Sequence, residues 1–180
     1  MGNHETLEEK RAAIIVKYRG LKVDKVDREG EKIMYFLSRG DKRYVLMCVI
    51  GQKTIGISYV RELKERVDKE GAAKGIMVGS GKYTYSSKST ADQLGLELVQ
   101  PNLPAFDVFE HEIVPRHEIL TVEEREEILK RFHAKPYQFP WIKSTDPISI
   151  ILGAEPGDVI RVTGDSETAG IYESYRYVVK

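Results

Sequence analysis

The sequence predicts two domains, first a mixed α/β domain with helices on both faces of its sheet, then a smaller domain of strands and short helices. Three observations carry that reading. Over residues 6–100 the helix and strand signals run α-β-β-β-α-β-α-β, an order that gives a mixed sheet flanked by helices. At 101–106 the segment PNLPAF holds two prolines and reads as a linker. The charge changes sign there too, with 19 basic and 14 acidic residues up to position 105 and 9 and 14 beyond it. The domains expected are 1–103 and 104–180.

Each element has a local signal. Thr6 with Glu9 is a capping box ahead of Leu7, Ile14, Ile15 and Tyr18, which share one helical face, so a helix is expected near 6–19. GLKVDKV and EKIMYFLSRGDKRYVLMCVI read as strands, the last two joined at Arg39-Gly40-Asp41 by a hairpin turn. Ser58 is placed to cap a second helix that carries Val60, Leu63 and Val67 and stops at Gly71. KGIMVG is a continuous apolar strand of the kind buried on both faces, SSKSTADQLG is a short helix, and LELVQ is a closing strand.

Beyond the linker, HEIVPRHEIL is extended. Thr121 with Glu124 repeats the capping box before a helix whose Val122, Leu129 and Phe132 are expected to face inward. Asp146-Pro147 starts a short helix that ends at Gly153. EPGDVIRV is a turn into a strand, TGDS a further turn, and IYESYRYVV a strand whose alternation puts Tyr175 and Tyr172 on opposite faces.

Composition bounds the function. Basic and acidic residues balance at 28 each, so the whole chain favours no partner, but halves of net +5 and −5 suggest an anion-facing first half and a protein-facing second half. The lone Cys48, set among Leu46, Met47, Val49 and Ile50, rules out an intrachain disulfide and fits a reducing compartment, the cytoplasm or, in a eukaryote, the nucleus. No apolar run reaches the roughly 18 residues of a membrane span, and MGNHETLEEKR has no apolar core of a signal peptide. Neither a membrane partner nor a secreted location is expected.

The local motifs for chemistry are weak. GSGKYT, residues 79–84, lacks the spacing of a phosphate-binding P-loop, in which several backbone N–H groups converge on one nucleotide. Its loop does carry Lys82, Tyr83, Tyr85 and Lys88, a basic and aromatic set suited to contacts with the DNA backbone. His111, His117 and His133 have no clustered Cys or carboxylate partners and read as structural, so no metal is expected. Cys48 lies in an apolar run rather than the electropositive setting that activates a thiol.

On GLKVDKVDREGEKI, KRYVLMCV, VRELKERVDKEGAAKGIMV and ADQLGLELV, residues 6–100 resemble the restriction-endonuclease-like fold, in particular its Mrr-type branch. That resemblance implies an Asp just after the segment matching GEKI and, on the next strand, a Glu or Gln with a Lys two residues later, which together hold Mg²⁺ and activate water. The matching positions here are Met34, Met47 and Val49. Thioether and isopropyl groups cannot ligate a hard cation. The expectation is a nuclease scaffold without its chemistry; the alternative is a nuclease that draws metal ligands from Asp27, Glu29 or Glu31.

From Phe109 to Lys180, HEIVPRHEIL, EEREEILKRF, PYQFPWIKSTDP, GAEPGDVIRV and SETAGIYESYRYVV resemble the fifth subunit of archaeal and eukaryotic RNA polymerases. The resemblance implies a small α+β assembly module with no catalysis and no cofactor, docked on the largest polymerase subunit and its neighbours. In eukaryotic members a nuclease-like jaw domain reaches toward downstream double-stranded DNA; typical archaeal members lack it. The docking surface is expected on Pro115, His117, Pro140, Trp141, Asp146 and Pro147, and on Gly170, Tyr172, Tyr175 and Arg176. Family members often carry basic residues just before the segment matching Ser166-Glu167-Thr168, where this chain has Thr163, Gly164 and Asp165. The chain is therefore expected to be a non-catalytic polymerase subunit; a free-standing transcription factor built on the same module is the remaining alternative.

Overall fold

A computed structural model describes residues 5–166 and 170–180. The chain folds as two compact units, Met1–Phe106 and Asp107–Lys180.

In the first unit the order is α1 (Leu7–Tyr18), β1 (Lys22–Glu29), β2 (Lys32–Arg39), β3 (Lys42–Val49), β4 (Thr54–Ile55), α2 (Ile57–Glu70), β5 (Lys74–Gly79), β6 (Lys82–Tyr83), α3 (Tyr85–Leu94) and β7 (Glu97–Val99). Five strands form one sheet in the order β1-β2-β3-β5-β7. The first three are antiparallel and the last three parallel, because the tight turn at Gly40-Asp41 reverses the chain while α2 and α3 serve as crossovers. Gly40 has φ +58°, the left-handed region that this turn demands. β1 is an edge strand, and a register shift between Val23 and Lys25 marks a bulge in it.

Strand alternation divides the core. Val45, Met47 and Val49 of β3 pack with Val60, Leu63 and Val67 of α2 and Ala91 of α3. Cys48, between two of them, points the other way, where its thiol meets the Glu8 carbonyl of α1 at 3.6 Å. Helices thus cover both faces of a mixed sheet, as the element order requires. α1 begins at the expected Thr6–Glu9 capping box, with both reciprocal hydrogen bonds formed, and Ile14 and Ile15 are buried, but Leu7 is exposed. α2 begins slightly earlier than expected: Gly56 is its N-cap and Ser58 lies inside the first turn, while Gly71 ends it in the left-handed region.

The proline-bearing segment is not free along its whole length. Leu103 is buried among the first unit's residues, and its carbonyl accepts from Arg11 Nε at 2.7 Å.

The second unit runs from a 3-10 turn at Val108–Glu110 through β8 (Arg116–Ile119), α4 (Val122–Arg131), a 3-10 turn at Pro136–Gln138, β9 (Trp141–Lys143), α5 (Pro147–Leu152), β10 (Val159–Ser166) and β11 (Gly170–Val179). Its sheet order is β8-β10-β11-β9, antiparallel except for the β11–β9 pair. One cluster joins Leu120, Ile128, Val159 and Tyr175, and another joins Ala154, Ile160, Val162 and Val178. The Thr121–Glu124 capping box is formed, and Asp146 caps α5 with Pro147 at its first position.

Two expectations change here. α4 turns Ile128 into the core, where it packs with Leu120, Val159 and Tyr175, and leaves Val122 and Phe132 exposed. TGDS is not a turn: Thr163 to Ser166 continue β10, paired with Glu173 to Gly170. Glu167 and Thr168, part of the family segment named above, lie outside the described residues.

Candidate functional site

The three positions that the resemblance matched to a nuclease's metal-holding residues lie together on one sheet face. Met34 pairs directly with Met47 across β2 and β3, and Val49 lies two residues further along the same face. All three are buried, in one apolar cluster with Met77, Ile55 and Tyr83. The convergence suits a catalytic centre, but the donor set does not suit Mg²⁺, which requires oxygen ligands. The small β4–β6 sheet closes the position from outside. It carries Ile55 onto Gly79, and it buries the Tyr83 ring, whose hydroxyl donates to the Met77 carbonyl at 3.3 Å. Tyr83 is therefore no surface contact; it is part of the plug. Burial also pushes its phenol far up.

The acids of the alternative reading are spread along the β1–β2 hairpin. Asp27 pairs with Lys25 at 2.7 Å, Glu29 with Arg66 at 3.4 Å, and Glu31 accepts from the Gln52 amide. Among the described residues no three His, Cys, Asp or Glu side chains are grouped to hold a metal. Burial drives the Cys48 thiol far up, which keeps it protonated and inert.

A groove of about 540 Å³ opens between β6, α3 and the end of β7, lined by Lys82, the largely buried Tyr83, Lys88, Asp92, Leu98, Gln100 and Pro101. Lys82 and Lys88 are exposed, and Tyr85 is 88% exposed. Two features hold the Lys82 loop. Its backbone donates from Lys82 N to the Lys53 carbonyl at 3.0 Å, and a Cβ on Gly81 would lie 2.2 Å from the Gln52 carbonyl oxygen, a backbone approach that only glycine permits. Two ammonium groups can neutralise backbone phosphates, and an exposed tyrosine hydroxyl can hydrogen-bond them, without reading sequence.

The second unit exposes an aromatic surface. Trp141 is 67% exposed, and its indole N–H donates to the Tyr137 carbonyl at 3.0 Å. Pro140, Pro147, Gly170 and Tyr172 are exposed, and Pro115, His117, Asp146 and Arg176 are half-buried. The His117 ring hydrogen-bonds the Pro115 carbonyl at 2.7 Å and packs beside Phe109; burial holds its pKa below the usual value. Tyr175 belongs to the core instead, packed edge-on against Phe132 with its hydroxyl donating to Glu173 at 3.0 Å.

Residues 106–178 match the family described as RNA polymerase Rpb5, C-terminal domain, and residues 4–102 match the family described as restriction endonuclease. DNA-directed RNA polymerase subunit Rpo5 of Thermococcus onnurineus is 51% identical over 75 residues, 42% of this chain and 92% of that protein. Rpo5 of Sulfurisphaera tokodaii is 48% identical over 73 residues, 41% of this chain and 87% of that protein. The chain belongs to both families, restriction endonuclease in its first half and Rpb5 C-terminal domain in its second. A solved protein of unknown function also aligns with 51% of the chain at 16% identity, with a TM-score of 0.39, too low to bear on the fold.

The Rpb5 C-terminal unit is the part shared with the Rpo5 proteins, and the restriction endonuclease unit precedes it. The expected Lys82 and Lys88 line the groove together with Gln100 and Pro101, which the sequence reading did not single out. The proline that marked a linker was the available signal, since it lies shortly after the β7 strand.

Proposed function

We propose that this protein is a subunit of a multisubunit DNA-dependent RNA polymerase, non-catalytic in itself. Residues 104–180 dock on the largest subunit and its neighbours, and residues 1–103 stand near the entering duplex. The close relation of the Rpb5 C-terminal unit to Rpo5 subunits carries the reading. For the first unit, the support is chemical. Hydrocarbon and sulfur occupy the convergent positions of Met34, Met47 and Val49, so that unit can hold or touch DNA but has no groups there to cut it. Lys82, Lys88 and Tyr85 supply a weak, non-specific and salt-sensitive contact to phosphates. Pro140, Trp141 and Tyr172 are the exposed anchors for docking.

The experiment is purification of the polymerase from its native source followed by charge reversal. The chain should remain with the enzyme in constant proportion through high-salt washing, which separates a subunit from a dissociable factor. Lys82→Glu with Lys88→Glu should shorten the lifetime of promoter open complexes at low salt and leave assembly intact. Normal transcription by that variant at every salt concentration would remove the DNA-facing assignment.

A further inference from the structure

Arg11 lies in α1 and is 8% exposed, an unusual depth for a guanidinium. It reaches two loops that are far apart in sequence. Its Nε donates to the Leu103 carbonyl at 2.7 Å and its Nη1 to the Ser80 hydroxyl at 3.1 Å. Ser80 stands two positions before Lys82, and Leu103 two positions after Pro101. Lys82 is on one wall of the groove described above, and Gln100 and Pro101 are on the other. The second wall is itself a closed turn, since Leu103 N donates to the Gln100 carbonyl at 3.1 Å and the Leu103 side chain is buried.

A single planar fork thus ties together the two segments that carry these lining residues. We infer that Arg11 is a positioning residue for this groove, fixing the loop that carries Lys82 against the Gln100–Leu103 turn so that a phosphate backbone entering the groove meets Lys82 in place. The guanidinium suits the task because its donors diverge in fixed directions, whereas a lysine ends in one compact ammonium with no planar fork. Arg11 does not line the groove. The consequence for binding rests on the DNA-facing reading proposed above; the clamp itself does not.

The test uses the full-length chain. Hydrogen exchange should accelerate at least about tenfold in both 79–83 and 100–104 when Arg11→Lys or Arg11→Ala removes the fork, the scale of one lost hydrogen bond to a charged group. Ser80→Ala, which leaves the second contact in place, should accelerate only 79–83. With a short labelled duplex DNA, Arg11→Lys should weaken binding several-fold and leave the slope of log affinity against log salt unchanged. Lys82→Gln should lower that slope by about one, as expected for a lost phosphate contact. Unchanged exchange in both segments of Arg11→Lys would overturn the inference, and so would a slope reduced by about one, which would make Arg11 a direct contact. Absence of duplex binding by the unmodified chain would remove the DNA reading, and the positioning role would then be decided by the exchange data alone.

Discussion

Met34 stands directly opposite Met47 across the β2–β3 ladder, and Met77 continues the row on β5. Three thioethers in register fill the centre of a sheet face that α2 and α3 cover. Met47→Glu should cost about 3 kcal/mol or more at neutral pH, because an acid there must ionise without a partner or take up a proton. Met47→Leu conserves volume and should cost less than about 1.5 kcal/mol. Urea unfolding of the two variants measures the difference, and neither should cleave DNA with Mg²⁺ or Mn²⁺.

Gly164 lies opposite Tyr172 on β10 and β11, and a Cβ at Gly164 would come within 2.4 Å of the Tyr172 hydroxyl. The ring lies over the bare backbone of its neighbour. Gly164→Ala should push aside the partly exposed ring at a cost of under about 1 kcal/mol, since a flexible side chain yields more readily than backbone. Retention on polymerase should fall more than thermal stability does. A loss of stability with unchanged retention would place Tyr172 outside the docking surface.

Trp141 has its ring largely in solvent while its N–H is already satisfied within the unit. That combination favours an interface anchor, with large apolar area and no unpaired donor to bury. Trp141→Ala should change the unfolding midpoint little and release the chain from polymerase at lower salt. Salt-gradient elution of assembled enzyme reads this out.

Glu97 contributes to the acid sensitivity of the first unit. Burial pushes its carboxyl up, but Arg19, which donates to it at 2.9 Å, and Lys74 outweigh that effect and hold its pKa below the ordinary 4.5. A depressed carboxylate adds stability that is present above the unfolded value and is lost as pH falls through the folded one. Stability should therefore decline below about pH 4.5, and Glu97→Gln should flatten that decline while lowering stability at pH 7. Thermal unfolding from neutral to acid pH tests both.

What the sequence made legible was local. Thr6–Glu9 and Thr121–Glu124 are read from four residues, and both capping boxes formed. The rotation of α4 was not legible, because Val122, Leu129 and Phe132 satisfy the periodicity as well as Ile128 does; only packing against Leu120, Val159 and Tyr175 decides. Tyr83 failed for a related reason. A strand of two residues has no period, and its burial depends on β6 pairing with Thr54-Ile55 across an intervening helix. The lysines of the groove stood out as a motif, but Arg11 could not, since it and Leu103 are 92 residues apart.

The open side of β1 carries a further consequence. The N–H and C=O groups of this eight-residue strand that do not face β2 would ordinarily invite another chain to add itself and seed fibrous stacking. Here Lys22, Asp24, Lys25, Asp27, Arg28 and Glu29 crowd that border with charge, and the irregularity at Val23–Lys25 breaks the even spacing that an incoming peptide would need. The protein can therefore leave this sheet margin open without becoming sticky.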